Sequence, residues 1–157
     1  VFASLKKELV NRGLSTNVGD EGGFAPNLSN SFEAFDLISK AIESTNYKLG
    51  EDFVFALDAA ASEFYKDGKY SIDGKDLETE ELIEYYESLR SKYPIFSIED
   101  GFSEHDTIGF RKFTEKMGKK IIHAGRAGHG QAAELYLILV SQGKREIDFS
   151  GIIQMIK

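Results

Sequence analysis

The sequence predicts an α/β chain, built from parallel strand–helix units that make up part of a barrel. Three observations predict it. Short apolar runs alternate with stretches of helical period. Two of those runs end directly in an acid. The spacing between runs leaves room for a helix after each strand. The runs are Phe53 to Leu57, followed by Asp58, and Ile95 to Ile98, followed by Glu99. A closed α/β barrel takes about 250 residues. This chain has 157, enough for about half of the barrel strands.

The elements follow in order. Phe2, Leu5, Leu9 and Val10 share one face of a helix that stops near Gly13. Ser15 to Asp20 reads as a short extended stretch leading into a glycine-rich loop, Gly19 to Asn27. Phe32, Phe35, Ile38 and Ile42 mark a second helix over about residues 30 to 46. Asp67-Gly68 between aromatic residues signals a hairpin within Tyr65 to Ile72. Leu82, Ile83, Tyr86 and Leu89 mark a third helix that stops before Pro94. Ser103-x-x-Asp106 has the form of a capping box before a fourth helix carrying Phe110, Phe113 and Met117. Ile121-Ile122 suggests a third short strand. Ala132 to Val140, apolar on all sides, suggests a buried helix. Residues 1–122 read as the partial barrel, and 123–157 as a tail of different character.

Composition narrows the function classes. A charge of −7 disfavours nucleic acid and a basic membrane-surface segment. The absence of Cys excludes disulfides, thiolate catalysis and Cys-ligated zinc, and fits a cytoplasmic protein. No apolar run is long enough to span a membrane as a helix, and no secretory signal pattern is present. Val1 opens directly into an amphipathic pattern, as though the chain continued upstream.

The strand-end acids carry the chemistry. In parallel α/β folds the C-terminal strand ends face the active site. A carboxylate directly after a buried apolar run is poorly solvated and needs a cation or strong hydrogen bonds to stay charged. Asp58, Glu99 and Glu21, which follows Thr16 to Gly19, can converge on a hard ion such as magnesium, which prefers oxygen ligands. The same residues can instead be acids capping strand-to-helix turns. Three glycines, Gly19, Gly22 and Gly23, suit close backbone approach to a ligand or a plain surface turn. Asp67, Asp73 and Asp76 do not fit the calcium-loop spacing and read as solvated turn residues. His123 and His129 flank a glycine cluster that matches no named fingerprint; it reads as a flexible loop or an anion site.

Three segments carry a family resemblance. NVGDEGGFAPN (Asn17 to Asn27), LDAAASEFYKDGKY (Leu57 to Tyr70) and YPIFSIEDG (Tyr93 to Gly101) resemble segments of the enolases in the family's order and near its spacing. The resemblance covers residues 1 to about 120. It implies an enolase-type barrel and a family reaction, dehydration of 2-phosphoglycerate to phosphoenolpyruvate in glycolysis. It implies Mg2+ held by one Asp, one Glu and a second Asp, with Asp58 and Glu99 as the first two ligands. It implies that Glu21 is the acid assisting loss of hydroxide, and it leaves the family's homodimer open as a possible assembly. A Lys base working beside magnesium is the arrangement of the enolase superfamily.

The chain departs from the family after Lys120. Where the enolases read Gly-Asp-Asp, this chain reads Gly125-Arg126-Ala127, so Arg126 stands where the third metal ligand is expected. A reading-frame change or a fused tail would produce such a departure. Lys157 is only a faint match to the family's catalytic Lys. Substrate-binding residues that enolases carry in their N-terminal domain and last strands are not found. The expectation is therefore twofold: an enolase-like lyase by family, or a catalytically inactive fragment that at most binds a divalent ion or a protein partner. Residues 123–157 are expected to pack poorly, because the half-barrel offers the run Leu135 to Val140 no evolved partner.

Overall fold

The computed structural model describes residues 1–19 and 22–118, together with the backbone of three strands at 122–124, 135–141 and 153–155. Helix α1, Phe2–Asn11, buries Leu5 and Leu9, one turn apart on the same face. It ends where Gly13 takes φ 67° and the Leu14 N–H donates to the Leu9 carbonyl at 2.9 Å. Helix α2, Ser31–Glu43, begins at Asn30, whose side chain accepts from the Glu33 N–H at 3.1 Å. It buries Ala34, Phe35, Leu37, Ile38, Ala41 and Ile42.

Strand β1, Phe53–Asp58, is followed by a 3-10 turn, Ala61–Phe64. A small antiparallel sheet comes next: β2, Tyr65–Lys66, β3, Lys69–Ile72, and β4, Lys75–Leu77. The Asp67-Gly68 hairpin expected from sequence joins β2 to β3, with both residues at positive φ. Helix α3, Thr79–Lys92, leads into β5, Ile95–Glu99. Helix α4, Thr107–Met117, leads into β6, Ile122–Ala124.

β1, β5 and β6 are parallel neighbours, as the strand–helix alternation predicts. The core lies between one face of this sheet, with Phe55, Leu57, Ile95 and Ile98, and the buried faces of the four helices. Phe35 stacks on Tyr93 at 4.7 Å and meets Phe55 edge-on at 5.0 Å. Among the described residues the main sheet has five strands, in the order β6-β5-β1-β7-β8, and it does not close into a barrel.

Three sequence expectations need correction. The run expected as a buried helix at 132–140 instead contributes β7, Leu135–Ser141, which pairs antiparallel with every residue of β1. Strand β8, Ile153–Met155, pairs with β7 in turn. An all-apolar run has no period to separate helix from strand, and Leu-Tyr-Leu-Ile-Leu-Val is rich in strand-favouring types. How the side chains of residues 123–157 pack lies outside what is described. The second correction is the cap of α4. Asp106, not Ser103, is its N-cap, accepting from the Gly109 N–H at 2.8 Å. Gly109 is required there, because a Cβ would come within 2.6 Å of the Phe102 ring. Third, Asp73 is more than a solvated turn residue: its carboxylate accepts from the Ser31 N–H and hydroxyl and from the Tyr85 hydroxyl.

Candidate metal-binding site

Asp58 and Glu99 are the last residues of neighbouring parallel strands, and they are register partners. A local irregularity makes them so. Phe55 pairs with Ile95, but Ala56 pairs with Ser97, so Phe96 is an extra, bulged residue in β5. Counting three residues on from Phe55 and Ile95 without the bulge would set Asp58 opposite Ile98. With it, Ile98 stays in the core beside Leu57, and Glu99 shares a face with Asp58. Ala56 and Ser97, one layer deeper on that face, are small and leave the acids room.

The two acids differ in environment. Glu99 is exposed and Asp58 half-buried. The Asp58 carboxyl is raised from 3.8 to about 6, first by burial, then by the negative charge of Glu99 and, less, of Asp100. The Ala60 N–H, donating to Asp58 Oδ1 at 3.2 Å, opposes the rise only in part. This is the electrostatic signature of an anionic cluster that a cation would relieve.

The donor set suits a hard divalent ion, since both described donors are carboxylates. It is a partial set. Among the described residues no group of three or more His, Cys, Asp or Glu comes together in a way that could hold a metal. Glu21, Arg126, His129 and Lys157 lie outside the described residues, and only the backbone of His123 is described. The loop carrying Glu21 is described at its base. Val18 and Phe24 form an antiparallel bridge, and the Gly19 N–H donates to the Gly23 carbonyl at 2.8 Å. Phe24 is buried and stacks on Phe2 at 4.4 Å, which ties that base to α1. This bridge stands apart from the five-stranded sheet.

Asp100 and Ala60 were not singled out from sequence. Asp100-Gly101 is a turn dipeptide and could have been noticed; Ala60, an alanine in the left-handed region, has no sequence signal.

Parallel strands that end in paired acids and are separated by helices define a βα-barrel type of chain. The family model of the enolase C-terminal TIM barrel domain matches residues 1–127, and the chain belongs to that family. The match extends past Lys120 and includes position 126.

Proposed function

We propose that this chain carries part of an enolase-type magnesium site, in which Asp58 and Glu99 bind the ion. The observation that carries the reading is the in-register pairing of these acids at parallel strand ends, with the Asp58 carboxyl raised first by burial and then by the charge of Glu99. Bound magnesium would supply the positive charge that stabilises the anion formed when the proton beside a substrate carboxylate leaves. Glu21, as a carboxylic acid, would hand its proton to the departing hydroxyl of 2-phosphoglycerate, giving phosphoenolpyruvate.

The reading has a second half. This 157-residue chain binds the ion weakly and does not turn over by itself. Arg126 stands where the family has a ligand Asp, and a cation there repels magnesium. Two carboxylates leave most of an octahedron to water, which magnesium releases reluctantly. Lys157 is only a faint match to the family's base, and losses within one catalytic unit are not additive. A cytoplasmic, glycolytic setting goes with this reading; no helix among the described residues is long and apolar enough to cross a membrane.

Calorimetric titration with magnesium chloride, beside an ultraviolet assay of enol phosphate formation, tests both halves. Weak binding that disappears in Asp58→Ala and strengthens by about tenfold in Arg126→Asp supports the reading. Tight one-to-one binding, or turnover abolished by Glu21→Gln, would show a complete site and refute the second half.

A further inference from the structure

The chain leaves β1 and β5 through two non-glycine residues in the left-handed region, Ala60 at φ 44° and Asp100 at φ 46°. L side chains are strained there, and such residues persist only where their surroundings over-determine them. Here the surroundings act from two directions. Across the strands, the Ala59 N–H donates to the Glu99 carbonyl at 2.8 Å, and the Ala61 N–H donates to the Asp100 carbonyl at 2.9 Å. Strand pairing thus continues past the acids and staples one turn to the other. From behind, the buried Tyr86 of α3 donates its hydroxyl to the Gly101 carbonyl at 2.9 Å. The Gly101 backbone lies directly on that ring and on Ile98, where a Cβ would come within 3.1 Å of the Ile98 side chain.

We propose that this stapled pair of left-handed turns is a positioning device: Ala60 and Asp100, backed by Tyr86, hold the Asp58 and Glu99 carboxylates side by side so that one divalent cation takes both. In this role each of the three acts through the two acids. The inference rests on the magnesium reading above and adds to it the residues that set the ligand geometry.

The test compares magnesium affinity, by calorimetry on the full chain, across five proteins: the parent, Asp100→Asn, Asp100→Val, Tyr86→Phe and Ile83→Val. Asn tolerates the left-handed region and removes the charge, whereas a β-branched Val does not tolerate it. The expected result is Asp100→Asn within about threefold of the parent, with Asp100→Val and Tyr86→Phe weaker by about tenfold or more. Ile83→Val, which trims the buried face of the same helix as Tyr86, keeps the parent affinity, so general loosening is not the cause. Should Asp100→Val fail to fold, Tyr86→Phe decides alone, since Phe fills the same space and lacks only the hydroxyl. Parent affinity in both variants overturns the inference. So does an Asp100→Asn loss equal to that of Asp100→Val, which would assign the effect to charge. A parent chain that binds no magnesium overturns the magnesium reading itself, and this inference with it.

Discussion

Replacing Asp58 by Asn is expected to stabilise the metal-free protein at neutral pH while removing a cation ligand. Asn keeps an oxygen to accept from the Ala60 N–H at 3.2 Å and has nearly the same volume. What it removes is a half-buried charge set against Glu99 and Asp100. The carboxyl is raised from 3.8 to about 6, and each factor of ten is worth about 1.4 kcal/mol. That charge therefore costs at most about 3 kcal/mol, and solvent reaching Asp58 screens it to about 1–3 kcal/mol. The pH dependence has a fixed sign. Below 3.8 the group is protonated whether folded or unfolded, and parent and variant should match. As pH rises toward 6 the folded parent holds its proton longer than the unfolded chain, so its stability falls. The gap is full above 6. Urea denaturation in a chelating buffer at several pH values measures it. Added magnesium should narrow the gap by stabilising only the parent. A variant no more stable than the parent at pH 7, or a gap independent of pH, would refute the electrostatic reading of the acid pair.

Two further outcomes concern the polar framework behind the site. Asp106→Ala removes the acceptor for the Tyr70 hydroxyl, the Thr79 hydroxyl and the Gly109 N–H. It should cost about 2–4 kcal/mol by urea denaturation; a loss under about 0.5 kcal/mol would contradict that role. At Asp36, burial raises the carboxyl, but the Tyr93 hydroxyl at 2.7 Å and Lys92 together hold it below the usual carboxylate range. Its contribution to stability is thus present above the ordinary value and lost as pH falls through the folded one. Tyr93→Phe should move the Asp36 titration upward in carbon-detected NMR, and an unmoved titration would count against the bond.

Much of the fold was legible because local signals agreed with global ones. Phe35, Ile38 and Ile42 keep a helical period and do line the core. The apolar runs ending at Asp58 and Glu99 do form β1 and β5, side by side and parallel. What stayed hidden depended on partners distant in sequence. Asp73 reads as a turn acid until Ser31 is placed beside it by the fold. Asp106 and Ser103 both suit a cap, and the choice falls on the residue that Tyr70 and Thr79 also reach. The bulge at Phe96 has no local signature, because Ile-Phe-Ser-Ile reads equally well as a regular strand. The acid pair was therefore visible as two strand ends, while the shift that sets them opposite each other was not.

The antiparallel pairing of β7 with β1 bears on the solubility of the chain. A strand such as Phe53–Asp58, apolar along most of its length, would with one bare edge offer unpaired N–H and C=O groups as a template for strands of other molecules. β7 occupies that edge along all six residues of β1. Because it runs the opposite way, a parallel strand cannot be added there, as barrel closure would require, without first displacing it. The segment beyond the family match at residues 1–127 thus serves as a plug. A chain cut before Leu135 would keep the acid pair and expose an aggregation-prone edge beside it.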